Sequence, residues 1–310
     1  MAPTSILIDC DPGIDDALNL FLAFASPREL HVDAVTVVFG NVGLDRTVRN
    51  ALAICELLGA EVPVHAGAPK ALLAQRTDAA EYHGDTGLGS VVLPPPTRAA
   101  APGRAAEQIV ERALARPGEL TVVATGAMTN LALALSLEPA LASALAGIVI
   151  MGGSLDEGNT TPSAEFNAYA DPHAMKIVLD CGAPVTMFGL NVTHQVLATP
   201  DRVQALRATG HPLAACAADL MTTFAEPYRQ IYGWDGPAIH DVCTAAYLVD
   251  PTLFEVVPMP VEVDTGPGPG FGRTICDVRG FTGAPANVHV ATGVDVDRFF
   301  ALFTERITTY

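Results

Sequence analysis

The stretch ILIDCDPGIDDAL, residues 6–18, decides how the rest of the chain is read. Ile6, Leu7 and Ile8 form an unbroken apolar run, the pattern of a strand buried on both faces. Ala17, Leu18 and the run 20–24 carry the apolar content of a following helix. Between them Asp9, Asp11, Asp15 and Asp16 crowd into eight residues, around Pro12 and Gly13. Capping accounts for part of this. Asp11-Pro12 has the same form as Asp171-Pro172 and Asp250-Pro251, an N-cap acid before a proline, and acids in a first turn gain from the helix dipole. It does not account for four carboxylates, because crowded like charges repel and raise one another's pKa. A hard cation removes that cost. Aspartate oxygens with no cysteine or histidine ligand among them suit Ca²⁺ or Mg²⁺ over zinc.

Outward from this turn, short β-branched runs at 5–9, 34–40, 120–126, 148–153 and 185–190 read as strands. Helical patterns lie between them at 14–25, 44–59, 103–116, 128–137 and 171–181. The alternation predicts an α/β fold: a doubly wound, mostly parallel, open Rossmann-like sheet with helices on both faces. The C-terminal third is less regular. Helix is expected over 213–249 with a break at 232–237, strands at 258–264 and 287–292, and a last helix at 295–308. LPPPTRAAAPG (93–103) is a loop within one continuing pattern, so a single domain over 1–310 is expected. In open α/β sheets ligands sit beyond the carboxyl ends of the strands. Asp9–Asp16, Gly40-Asn41, Thr125-Gly126, Met151-Gly152-Gly153 and Leu190-Asn191 should therefore converge on one rim.

Half of the 310 residues are hydrophobic and 16% are charged, which excludes a disordered chain. The formal net charge of −17 repels nucleic acid and anionic membrane surfaces. Six scattered cysteines without a C-x-x-C pair read as reduced thiols. There is no basic, apolar leader at the N-terminus and no run of about 18 uncharged apolar residues. A cytoplasmic protein is expected.

Two further elements could complete an acidic site. His240-Asp241 opens an apolar helical pattern, where Asp241 could equally be a cap and His240 a solvated loop residue. In EGNTTPSAEFNAYADP (157–172), Glu165 and Asn167 would point the same way if the segment is extended. An acceptor and an amide side by side can hold sugar hydroxyls.

Together these elements resemble the nucleoside hydrolase family of the inosine–uridine-preferring type. DCDPGIDDA (9–17), FGN (39–41), TGAMTNLALAL (125–135), MGG (151–153), Asn159 with Glu165-Phe166-Asn167, and HD (240–241) carry the resemblance. GRTICD (272–277) looks like the family's late turn and strand. The resemblance implies an N-ribohydrolase with one bound Ca²⁺, held by Asp11, Asp16, Asp241 and the main-chain carbonyl of Thr125. Asp15 and Asn41 would bind the ribose hydroxyls, and Asn159, Glu165 and Asn167 the 5′ end, with Met151 lining the substrate site. Asp9 would orient the turn from behind. Asp11 would take a proton from the attacking water. His240 would supply one to the leaving base, with Tyr228 and His83, on loops over the base, as further candidates. Similar enzymes assemble as homodimers or homotetramers.

Asn41 and His240 look like the nonspecific or pyrimidine-preferring branches of that family. The purine-specific branch stacks the base between tryptophans, and this chain has one, Trp234. Two other classes share some of these features. A strand followed by D-x-D also begins haloacid-dehalogenase-like phosphatases, with Asp9 as nucleophile, Asp11 as acid and Mg²⁺; that reading leaves Asp15, Asp16 and Asp241 unexplained. The other is a nucleoside or ribose binder without turnover.

Overall fold

The computed structural model describes residues 2–73 and 84–310. Ten strands run in chain order: β1 Thr4–Cys10, β2 Leu30–Val37, β3 Val64–Ala66, β4 Leu120–Ala124, β5 Gly147–Met151, β6 Val185–Phe188, β7 Phe254–Met259, β8 Val261–Val263, β9 Thr274–Cys276 and β10 Val288–Val294. Eight form one open sheet in the order β3-β2-β1-β4-β5-β6-β10-β7. All neighbours are parallel except the edge strand β7, which runs antiparallel to β10. Pro258 lies within that edge strand, and the opposite edge, β3, has only three residues. The doubly wound parallel sheet expected from the alternation is therefore observed.

The apolar strand runs are continuous because each strand feeds two cores. Ile6, Ile8 and Cys10 of β1 pack into one buried cluster and Leu7 into the other. Val123 and Val149 face the first cluster, while Val122, Ala124, Ile148 and Ile150 face the second. Burying each of the Val, Leu and Ile side chains contributes about 1.5–3 kcal/mol, and the polar side chains buried in these strands, such as Asp9 and Thr36, are hydrogen-bonded to one another. Helices Ile14–Phe24 and Pro212–Tyr232 cover one face; helices Ala105–Ala115 and Thr129–Leu137 cover the other.

β1 is where the strand order reverses: β2 and β3 follow it on one side, β4 to β6 on the other. A crevice opens at such a point beyond the carboxyl ends. The acidic turn after Cys10 and Thr125 after β4 sit there, joined by a hydrogen bond from the Thr125 N–H to the Asp9 carbonyl at 2.9 Å.

The short strand β3 and the helix Pro200–Ala208 had no counterpart in the sequence reading, and three further differences concern elements it did place. The strand expected at 34–40 spans Leu30–Val37, leaving Phe39-Gly40-Asn41 free to turn into the crevice. The single strand expected at 258–264 is two, β7 in the main sheet and β8 paired with β9 in a separate ribbon. Pro260 stands between them and lacks the N–H a continuous ladder needs. Glu165 and Asn167 are not on an extended segment; Glu165 is the N-cap of the short helix Phe166–Ala170.

The three Asp-Pro pairs also separate. Asp171 caps its helix through the Ala174 N–H at 3.1 Å, and its other oxygen accepts from the Leu72 N–H at 2.8 Å and the Thr129 hydroxyl at 2.7 Å. Asp250 accepts from the Thr252 N–H at 3.0 Å on the surface. Asp11 caps nothing: its helix starts at Ile14 behind Gly13, whose N–H is taken by Asp16 at 3.0 Å. Asp171→Ala, which strands a buried N–H and hydroxyl, is expected to destabilise by about 3 kcal/mol, against about 1 kcal/mol for Asp250→Ala. Denaturant unfolding of the two variants checks the difference, and equal losses would contradict it.

Candidate active site

The acidic turn folds as it does because two glycines let other strand ends close on it. A Cβ at Gly40 would lie 1.8 Å from Asp11 Oδ2, and one at Gly126 would lie 2.8 Å from Asp11 Oδ1. Only bare backbone fits on either side of that carboxylate. Asn41 then clamps the turn. Its N–H donates to Asp11 Oδ2 at 2.6 Å, and its amide donates to the Asp11 carbonyl and to Asp16 Oδ2, both at 3.1 Å. Asp16 Oδ1 accepts from the Thr125 hydroxyl at 2.7 Å. Asp9 lies behind the turn, its Oδ1 bound by Thr36 at 2.6 Å and Asn130 at 2.8 Å.

Asp241 comes from the start of helix Val242–Val249. It holds the N-cap position, yet its side chain makes no capping hydrogen bond. Instead it meets the turn: Asp15, Asp16 and Asp241 bring carboxylate oxygens within 4.8 Å of one another. Asp11 stands beside this trio, with Oδ1 buried and without a hydrogen-bond partner. All four carboxylates are at most 5% exposed. Burial, above all, pushes every one upward, and the charges of neighbouring acids add to it at Asp11, Asp15 and Asp241. Asp15 rises to about 7 and Asp16 to about 6, while Asp11 and Asp241 are held well above the usual range. Among the described residues no lysine or arginine lines the adjoining cleft. A buried, all-oxygen acidic cluster with an unpartnered carboxylate oxygen and no basic side chain fits a hard divalent cation.

The cleft, about 540 Å³ of free space partly open to solvent, has two further walls. One is Asn159, Thr160, Glu165, Phe166 and Asn167, with Met151 beneath. Glu165 accepts the N–H groups of Asn167 at 2.8 Å, Gly153 at 2.8 Å and Ala168 at 3.0 Å. Even so, burial pushes it up to about 7. Asn167 donates its amide to the carbonyls of Thr125 at 2.8 Å and Met151 at 3.1 Å, so its Oδ1 is what it can offer a ligand. The other wall is His240 with Phe224, Tyr228 and Tyr232. His240 is buried, with Nδ1 against the Thr193 hydroxyl at 2.7 Å and Nε2 against the Tyr228 hydroxyl at 2.5 Å.

The cleft thus brings together Asp15, Asn41, Thr125, Met151, Asn159, Glu165, Asn167, Tyr228, His240 and Asp241 of the expected residues, with Asp11 and Asp16 directly behind. Asn191 lies elsewhere, donating to the Ala291 carbonyl. Tyr228 is on the helix Pro212–Tyr232, not on a loop. His83 falls outside the described residues. Thr160, Phe166, Phe224 and Tyr232 were not foreseen. The spacing of Phe224, Tyr228 and Tyr232, four residues apart on one helical face, was the available signal. Asp9, held behind the turn by Thr36 and Asn130, is badly placed as the nucleophile of a phosphatase.

An open α/β sheet with an acidic crevice at its reversal point, facing a wall of carboxylate and amide groups and an aromatic wall, has the form of a sugar-bond hydrolase of the nucleoside type. Residues 6–301 match the model of the inosine-uridine preferring nucleoside hydrolases, and the chain belongs to that family. It is a ribonucleoside hydrolase, acting on N-glycosyl bonds. It is 38% identical over 310 residues to the pyrimidine-specific ribonucleoside hydrolase RihB of Escherichia coli O157:H7, covering 100% of this chain and 99% of that one. Among solved structures it is similar to the purine-preferring ribonucleoside hydrolase from Gardnerella vaginalis, with a TM-score of 0.92, 36% identity and 98% of each chain covered. The plant nucleoside hydrolase PpNRh1 matches with a TM-score of 0.92 and 34% identity, over 99% of this chain and 100% of that one. Among the described residues no helix is long and apolar enough to cross a membrane.

The acids whose pKa values are raised on folding bind more protons folded than unfolded. Stability is therefore full below about 4, the unfolded value, and is lost as pH rises towards 6–7. In chelator, the wild-type Tm is expected to fall more steeply over this window than that of Asp16→Asn. Equal slopes would sink the assignment.

Proposed function

We propose that this enzyme hydrolyses ribonucleosides to ribose and free base with one bound calcium ion, accepting pyrimidine nucleosides at least as well as inosine. The observation that carries the reading is the buried acid cluster, with no lysine or arginine in the cleft lining among the described residues, at the foot of a cleft whose other walls offer hydroxyl acceptors and aromatic rings. Asp11, Asp16, Asp241 and the Thr125 carbonyl would hold the ion. Bound there, the ion supplies positive charge that acidifies a water and anchors the ribose diol.

The remaining chemistry falls to side chains. Asp15 and Asn41 Oδ1 accept the ribose hydroxyls, and Asn159, Glu165 and Asn167 Oδ1 hold the 5′ end. Fixing the sugar at both ends turns the attack into a positioned, unimolecular event. As the C1′–N bond lengthens, positive charge grows on the sugar, and the surrounding carboxylates stabilise it. Asp11 Oδ1, unpartnered within the protein, takes a proton from the water that adds to C1′. The bonding pair leaves on the base nitrogen, which needs a proton in return. His240 Nε2 hydrogen-bonds the Tyr228 hydroxyl, so His240 would deliver that proton through Tyr228.

The base preference is supported by the single tryptophan. Trp234 stacks on Tyr232 at 4.5 Å and 20°, and no second indole exists to sandwich a purine.

Ribose release from uridine, cytidine, inosine and adenosine, with calcium and after exhaustive chelation, tests the proposal. Release is expected to require calcium, with uridine or cytidine at least equal to inosine. Asp11→Ala is expected to lower kcat by about 10²–10⁴-fold. Near wild-type turnover by a calcium-replete Asp11→Ala protein would overturn the role of Asp11, and undiminished turnover in chelator would overturn that of calcium.

A further inference from the structure

Asn50 lies outside the cleft and outside every motif singled out above. It sits on helix Leu44–Leu57, is 7% exposed, and its amide donates twice: to the Pro12 carbonyl at 3.0 Å and the Thr86 carbonyl at 2.8 Å. One bond ends on the acidic turn, the other on the segment 84–91.

That segment is wedged between the two halves of the site. Gly87 has φ +87°, and a Cβ there would lie 2.8 Å from the Asn50 amide nitrogen and 3.3 Å from the Pro12 carbonyl oxygen. Gly89 has φ +58°, and a Cβ there would lie 1.9 Å from Thr223 Cγ2 and 3.5 Å from Ile14 Cδ1. Both positions therefore require glycine for conformation and for space. Leu88 between them is buried, and the Ser90 and Thr223 hydroxyls meet at 2.6 Å. Thr223 immediately precedes Phe224 on the helix that carries the aromatic wall. The wedge touches the acidic turn at Pro12 and Ile14 on one side and the aromatic helix at Thr223 on the other.

We propose that Asn50 is a positioning residue: by pinning the 84–91 wedge to Pro12, it sets the distance between the carboxylate turn that holds the ribose and the aromatic wall that meets the base. This rests on the ribonucleoside reading of the cleft. Its consequence is selective. Loosening the wedge shifts the base wall against the sugar floor, so it alters nucleoside affinity and the ranking of bases, not only stability.

The test compares Asn50→Ala, Gly87→Ala and Ser90→Ala with Asn287→Ala. Asn287 is a matched control at the other end of the sheet, where its amide donates to the Leu179 carbonyl at 3.2 Å and the Val261 carbonyl at 3.0 Å. Tm, kcat and KM are measured with uridine and inosine, and uridine binding is read separately from Trp234 fluorescence. Asn50→Ala and Gly87→Ala are expected to raise KM and weaken uridine binding about tenfold or more. They should also change the uridine-to-inosine ratio, with a smaller fall in kcat. Ser90→Ala, a surface change that does not threaten folding, should move the same quantities less. Asn287→Ala should lower Tm and leave KM and the ratio unchanged. If Asn50→Ala and Ser90→Ala keep wild-type affinity and base ratio, the proposal is overturned. The binding readout does not depend on turnover, so failure of the hydrolysis reading and failure of the Asn50 role show up as separate results.

Discussion

Four carboxylates held together out of water are the constraint on which this molecule turns. Removing each from solvent is unfavourable, and their mutual repulsion adds to it. Their raised pKa values are the measure of that cost. Much of the fold can be understood as the means of imposing it. The strand order reverses at β1, so the turn after Cys10 faces a crevice instead of a helix. Gly40 and Gly126 permit approach from both flanks, and Asn41 and Thr125 supply donors that fix the carboxylates in place. A site preorganised in this way undergoes little rearrangement when charge develops in the substrate.

The two other walls are built differently, which bears on what each can do. The wall holding Glu165 and Asn167 is rigid and fully bonded: Glu165 is locked by three backbone N–H groups, and Asn167 ties the Thr125 and Met151 carbonyls together. The grip on the sugar proposed for this wall would therefore be coupled mechanically to the acidic floor. The aromatic wall is a stripe on one long helix. Pro227 removes one backbone donor just before Tyr228, weakening the helix where Phe224, Tyr228 and Tyr232 face the cleft. Relatives that share this architecture carry opposite base labels, pyrimidine-specific for RihB and purine-preferring for the Gardnerella enzyme. Such variation would be easier to accommodate in the wall proposed to meet the base than in the wall proposed to meet the sugar.

The central sheet was legible because a strand buried on both faces leaves an unbroken apolar run, as in β1, β4 and β5. The site was legible because four aspartates in eight residues exceed what capping needs. What escaped the sequence reading did so for physical reasons. Helix Phe166–Ala170 is too short to show a period, so Glu165 and Asn167 were read as neighbours on a strand when a cap brings them together. β7 and β8 look like one strand until Pro260 parts them. Phe224 and Tyr232 have the spacing of ordinary core residues. Asn50, a single polar residue in an amphipathic helix, carries no mark of its two distant partners.

The edges of the sheet have a bearing on company. At one end Pro258 interrupts the row of N–H groups that a further strand would pair with. At the other, three residues of β3 offer too short a template. Both devices discourage the growth of a sheet from one molecule into the next. Copies of this chain that meet at high concentration therefore gain little by pairing the edges of the main sheet. Contacts through helices, whose side-chain shapes are specific, meet no such obstacle.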